Sequence, residues 1–253
     1  MLFDAADPSH LTYRTGGRGG AIHYGLNRAP EGGNKGVSSM IRLVQGHERA
    51  AYPNEIDGMH RLRRKVFHER MGWEVSVIRD WEIDGFDAFD PLYVLSIDER
   101  ESVVGCLRLL PTTGYTMIND VFGEILPDNE PIVSPLIWES SRFAVDRDAD
   151  IPIGPNGISR ATAELGLGMN AVGMRLGLSH VVTVYDALVH RTLKRAACAG
   201  EPIAPAKRLG GTLSYAVLYE VGPETEQRVR AVSGIAGDVF EQASHDRLQL
   251  KVA

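Results

Sequence analysis

Apolar and polar positions along most of this chain follow one of two rhythms, a helical one and a strand one. Between Asn54 and Trp73, "NEIDGMHRLRRKVFHERMGW" sets Ile56, Met59, Leu62, Arg63, Val66 and Phe67 at helical spacing, which predicts a helix of about four turns. "LYVLSI" and "SVVGCLRLL" are apolar runs of strand length on either side of the charged turn Asp98–Glu101, a β-hairpin pattern. The acidic stretch before them, "VIRDWEIDGFDAFDP", reads as a loop. "TMINDVFGEIL" predicts a short helix and "PLIWESSRFAV" a buried strand. "GISRATAELGLGMNAVGMRLG" predicts a helix closed by Gly177 as its C-cap. After it come a β-branched strand, "HVVTVYD", a basic amphipathic helix, "ALVHRTLKRAA", and a last strand, "TLSYAVLYEV". The order helix, strands, helix, strand, helix, strand implies an α/β domain: a three-layer α/β/α sandwich around a mixed central sheet.

The strand "PLIWESSRFAV" breaks its own pattern. Leu136, Ile137 and Trp138 open it and Phe143, Ala144 and Val145 close it, but its centre is Glu139-Ser140-Ser141-Arg142. On a regular strand residues i and i+3 point to opposite faces. A β-bulge at Ser140–Ser141 would turn Glu139 and Arg142 into one cleft and free a backbone N–H for a developing oxyanion. Arg108, inside "GCLRLL", poses the same question, because a lone buried charge costs several kcal/mol. The purely structural reading is a salt bridge among Glu139, Arg142 and Arg108.

Other candidate residues have equally plain alternatives. Arg63 and Phe67 are four apart and share a helix face. Phe67 and Trp73 read as core, and Arg63 as solvated, if no site is present. Asp84, Asp87 and Asp90 recur every third residue, which does not match the ligand spacing of a calcium loop. They form either a solvated acidic loop or one that meets the cationic part of a ligand.

Composition narrows the class. The 253 residues suit one large domain or two small ones, and 43% apolar with 24% charged residues is ordinary globular composition. Residues 1–39 are glycine-rich without sustained period, so that extension is expected to be disordered and residues 40–253 to form the domain, with Met40 as an alternative start. A net charge of −6 argues against a general nucleic-acid binder. No apolar run is long enough to span a membrane, and a signal-peptide order is missing. Two cysteines, Cys106 and Cys198, without such a signal imply a reducing cytoplasm. The eight histidines are scattered, with no HExxH and no Cys/His cluster, so no metal site is expected. "GLGMNAVG" has the wrong glycine spacing for a nucleotide loop, and G-x-S-x-G does not occur.

Taken together, "MHRLRRKVFHERMGW", "EIDGFDAFDPLYVL", "GCLRLLPTTG" and "PLIWESSRFAV" stand in the order and spacing of acyl-homoserine-lactone synthases, the autoinducer synthases of bacterial quorum sensing. The resemblance covers roughly residues 40–220. It implies a fold similar to GCN5-related N-acetyltransferases, with S-adenosyl-L-methionine as amine donor and an acyl-acyl-carrier-protein or acyl-CoA as acyl donor. No cofactor is implied, since S-adenosyl-L-methionine is a substrate, and the product would act on a separate receptor regulator. The family's signature residues map onto Arg63, Phe67, Trp73, Asp84, Asp87, Arg108, Glu139 and Arg142.

By that resemblance Phe67 and Trp73 would enclose the sulfonium and adenosyl part of S-adenosyl-L-methionine. Arg63, Asp84, Asp87 and Phe143 would complete that side. Glu139 would be the general base for the α-amine. Backbone N–H near Ser141–Phe143 would meet the oxyanion, with Arg108 and Arg142 orienting Glu139 or the substrate carboxylate. Thr183 and Tyr185 would lie on the acyl channel. Arg191, Lys194 and Arg195 would present positive charge to an acidic carrier protein.

Departures from the family are instructive. Many relatives carry T-x-T where this chain has Thr183 and then Tyr185, and a glutamate where it has His190. That second threonine is associated with 3-oxo acyl groups, so an acyl chain without a 3-oxo group is expected. A different acyl-CoA-dependent N-acyltransferase of the same fold is the alternative. Its R/Q-x-x-G-x-G/A pyrophosphate loop is matched only by "AELGLG", which lacks the leading basic or amide residue. A ligand-sensing module that has kept the fold would not need Glu139, Arg142 and Arg108 together.

Overall fold

The computed structural model describes residues 39–241 and Ser244. The glycine-rich extension expected to be disordered lies outside the described residues except for Ser39, whose Oγ donates to Glu164 Oε2 at 2.5 Å. Strand β1 (Met40–Gln45) is followed by helix α1 (Pro53–Arg63), which opens on Pro53, a residue whose missing N–H costs nothing there. Arg64–Arg70 continue it as a π-helix. A two-stranded ribbon, β2 (Val77–Ile78) and β3 (Trp81–Glu82), leads to a 3-10 turn at Gly85–Ala88. The expected hairpin is β4 (Leu92–Ile97) and β5 (Val103–Pro111). One helical turn, α2 (Met117–Asp120), precedes β6 (Ile137–Val145), α3 (Arg160–Arg175), β7 (His180–Asp186) and α4 (Ala187–Arg195). The chain closes with β8 (Glu201–Pro202), β9 (Lys207–Leu209), β10 (Thr212–Glu220) and α5 (Pro223–Ser233).

Eight strands form one sheet in the order β1-β4-β5-β6-β7-β10-β8, with β9 beside β10. Among the described residues, its only parallel strand neighbours are β6 and β7, joined by the α3 crossover that a parallel pair requires. The sheet is therefore mixed but mostly antiparallel, and helices cover both faces. Val66, Met59, Leu62 and Phe67 pack α1 and its π-helical extension on Tyr93, Leu95 and Cys106. On the opposite face Leu165, Met169 and Val172 of α3 pack on Ile41, Val94, Leu107 and Leu109. Gly168 permits that approach, because a Cβ there would stand 3.2 Å from Val94 and 3.3 Å from Ile41. Gly177 takes φ 69° just beyond α3, as its expected capping role requires. Among the described residues, no helix is long and apolar enough to cross a membrane.

Two features of the sheet shape its centre. Strands β6 and β7 pair only over Ile137–His180, Trp138–Val181 and Glu139–Val182. Beyond Glu139 they part. The second feature is a bulge in β6, but not at Ser140–Ser141 as the sequence suggests. Arg108 pairs with Ser141 and Cys106 with Ala144, so Arg142 and Phe143 together oppose Leu107. Arg142 takes the left-handed φ of 55° that accommodates the extra residue.

Candidate active site

A cavity of about 850 Å³ runs through the gap where β6 and β7 separate. On the α1 side it is lined by Phe67, Trp73, Met117 and Phe122, and on the α3–α4 side by Met169, Thr183, Tyr185 and Leu193. Glu139, Ser141, Arg142 and Phe143 stand between the two halves.

Glu139 is 2% exposed. Its oxygens accept the backbone N–H of Met117 at 3.0 Å and of Ile118 at 2.5 Å. It makes no ion pair with any described residue, so the purely structural salt bridge with Arg108 and Arg142 does not form. Burial pushes its carboxyl up to about 7, against the opposing pull of Arg108 and of those two N–H groups. A carboxyl that titrates near neutrality in a cavity is suited to proton transfer.

The arginines are committed elsewhere. The bulge places Arg142 on the same face as Glu139 and Ser141, where its Nε meets Glu82 at 3.0 Å and its Nη2 meets Asp84 at 2.6 Å. Arg63 bonds Glu82 at 2.5 Å and Asp87 at 2.8 Å. Arg108 bonds Asp84 at 2.5 Å, Asp87 at 3.0 Å and the Ser141 hydroxyl at 3.1 Å. All six charged groups are buried, three of each sign. Burial alone would raise Asp87, yet Arg63 and Arg108 hold it well below the usual carboxylate range. Asp84 is held low in the same way by Arg108 and Arg142. Asp84 also caps the 3-10 turn by accepting from Phe86 N at 3.0 Å. Asp84 and Asp87 are thus not solvated and meet arginines of this chain, whereas Asp90 is exposed and pairs with His47 at 3.1 Å. Arg63, Asp84, Asp87 and Arg108 do not line the cavity; they form the wall behind Arg142 and Ser141.

Phe67 and Trp73 do line it, stacked with ring centroids 5.4 Å apart, and the Arg142 guanidinium lies 5.5 Å from the Phe67 centroid. In the other half, Thr183 and Tyr185 project from the same face of β7. The Tyr185 hydroxyl is 3.1 Å from His190 Nδ1. Arg191, Lys194 and Arg195 are exposed on α4, and Arg191 and Arg195 reach the cavity rim.

Two participants were not foreseen from sequence. Glu82 supplies the third carboxylate of the buried network, and a count of arginines against acids near "DWEIDGFDAFD" was the available signal. The N–H groups that hold Glu139 are backbone atoms and carry no side-chain signature.

The profile of the autoinducer synthase family matches residues 47–229. The acyl-homoserine-lactone synthase of Pseudomonas aeruginosa is 35% identical over 73% of this chain and 92% of its own length. That of Agrobacterium fabrum is 34% identical over 70% of this chain and 83% of its own. The crystal structure of the AHL synthase LasI superposes with a TM-score of 0.66 at 32% identity, covering 82% of this chain and all 100% of that one. BjaI, a CoA-dependent acyl-homoserine lactone synthase solved with SAM and isopentyl-CoA, has a TM-score of 0.68 over 84% of this chain and 100% of its own. Its 23% identity speaks for the fold alone. With a family profile over most of its length and these relatives beside it, the chain belongs to the autoinducer synthase family, acyltransferases that make acyl-homoserine lactones.

Proposed function

We propose that the cavity joins S-adenosyl-L-methionine, held on the Phe67–Trp73 side, to an acyl chain held on the Thr183–Tyr185 side, with Glu139 as the base between them. The observation that carries this reading is the place of Glu139: buried, without an ion pair among the described residues, and at the point where the sheet opens. Glu139 takes the proton of the substrate α-amine, directly or through a water. The amine then attacks the thioester carbonyl, and N–H groups at the Ser141–Phe143 bulge meet the oxyanion. Loss of the thiol leaves an amide. The carboxylate of the same substrate next attacks its own γ-carbon and displaces methylthioadenosine, closing the lactone. The sulfonium is already a good leaving group, so this second step chiefly needs the chain folded into position.

Aromatic faces at Phe67 and Trp73 suit a sulfonium and an adenine ring; Phe143 lines the cavity too, but packs against the α3-side core. Arg63, Asp84, Asp87 and Arg108 serve the same site from behind, by fixing Arg142 and Ser141. BjaI, which shares the fold, was solved with SAM and an acyl-CoA, the same two substrate classes as in this reading. The enzyme works in the cytoplasm without a metal or further cofactor, and its lactone acts on a separate receptor regulator.

Purified protein supplied with S-adenosyl-L-methionine and an acyl donor is expected to release methylthioadenosine and a lactone without a 3-oxo group. Tyr185 presents a ring to the channel and its hydroxyl is already bonded to His190. A 3-oxo carbonyl buried there without a partner would lose about 1–3 kcal/mol. Mass analysis of the product checks both points: no methylthioadenosine would overturn the reaction, and a dominant 3-oxo lactone would overturn the role of Tyr185.

For the donor, the exposed cations of α4 beside the cavity rim suit an acidic acyl-carrier protein, as they would the phosphates of acyl-CoA. Reversing Arg191, Lys194 and Arg195 to glutamate should raise KM for acyl-carrier protein by about tenfold or more and leave KM for S-adenosyl-L-methionine unchanged. Equal changes in both would show that α4 is not the docking surface.

A further inference from the structure

Glu139 depends on two N–H groups that belong to a helix of only four residues. One turn cannot sustain itself, since nucleating a helix costs more than its first bond returns. The usual local device is also missing. Thr116, at the N-cap, is fully buried, but its hydroxyl has no hydrogen-bond partner among the described residues. The turn is closed instead by Asp120, whose Oδ2 accepts from Thr116 N at 2.8 Å.

Met117 and Ile118 pack into the core, and the polar tie between α2 and the segment before β6 is Asn119. Its Nδ2 donates to the Ile132 carbonyl at 2.9 Å and its Oδ1 accepts from Ile132 N at 2.9 Å. Ile132 lies in the segment that runs directly into β6. That segment is fixed in turn by the Thr112 hydroxyl, which donates to Ile137 O at 2.7 Å and accepts from Ser134 N at 3.1 Å. One amide side chain therefore joins the donors of Glu139 to the stretch of chain that delivers Glu139 itself.

We infer that Asn119 is a positioning residue for acyl transfer: its paired bonds to Ile132 hold α2 where its first two N–H groups meet the Glu139 carboxylate. This rests on Glu139 as the base. The N–H bonds favour the ionised carboxylate, so losing them leaves Glu139 protonated to higher pH and less base at neutrality. The other charged groups around it are Arg108 on β5 and Arg142 on β6, both held by the buried acids. Asp120 on α2 is turned to its own Thr116 N–H. On β7 the residue paired with Glu139 is Val182.

The test is the pH profile of kcat/KM for the full chain and for Asn119→Ala. The acid limb should move up by about one unit, with activity down about fivefold at pH 7 and restored near pH 9. KM for the acyl donor should stay as it was. In an Asn119→Ala/Glu139→Gln double variant, the alanine should add no further loss, whereas a merely structural role would cost activity in both backgrounds. Should Asn119→Ala fail to fold, Asn119→Ser keeps one hydrogen-bonding group and should shift the limb the same way by less. An inactive Glu139→Gln with an unshifted Asn119 limb overturns this inference alone; an active Glu139→Gln overturns the base assignment beneath it.

Discussion

Glu139→Gln is expected to leave a folded protein whose acyl transfer is at least ~10²-fold slower, the scale on which a positioned base contributes. The amide keeps the volume of the carboxyl and one acceptor for the N–H groups of Met117 and Ile118, so the pocket stays filled. It cannot take a proton from the amine. The direction of the pH dependence follows from the same site. Glu139 is driven up to about 7 by burial, so wild-type activity should fall tenfold per pH unit below that value as the base becomes protonated. The residual activity of the variant should lack this limb. Steady-state rates from pH 5.5 to 9 decide it, and near-normal turnover at neutral pH would remove Glu139 from the chemistry.

Arg63→Met should produce the largest loss of stability among the site variants, about 3–5 kcal/mol. Arg63 is wholly buried, bonded to Glu82 and Asp87, and neutral methionine leaves three buried carboxylates facing two arginines. One of those negative charges must then remain uncompensated or take up a proton. Urea unfolding measures the loss, which is a sizeable part of the whole stability of an ordinary domain. Arg63→Met/Glu82→Gln restores the charge balance and should recover part of it. A loss below about 1 kcal/mol, or no recovery in the double variant, would mean that the network is not balanced as its geometry suggests.

Strongly periodic elements were legible in the sequence. Ile56, Met59, Leu62, Val66 and Phe67 recur at helical spacing and all are buried, and the β4–β5 hairpin follows its two apolar runs. A polar interruption in β6 pointed to a bulge, because no regular strand turns Glu139 and Arg142 to one face. Its position was not legible, since the left-handed residue is Arg142 itself and not a glycine that would announce it. Strand β1 and helix α5 escaped notice: one is six residues beside the glycine-rich start, and the other has only a weak apolar stripe. The π-helical turns after Arg63 differ from α-helix by one residue per bond, which side-chain periodicity over seven residues does not resolve. For the site, residue types were readable and partnerships were not. Arg63, Asp84 and Asp87 announce charge chemistry, but only the folded chain shows that they neutralise one another.

The bulge in β6 also changes how much a strand can carry. An unbroken strand delivers a side chain to a given face only once every ~6.6 Å of its length. Here Ser141 and Arg142 arrive on one face consecutively, two residues after Glu139. The central strand thereby attains a surface density of polar groups closer to that of a helix, while keeping the ladder that makes it rigid. A reaction needing base, oxyanion donor and guanidinium within one cleft can thus be served by four successive residues, and the rest of the sheet is left free to be core.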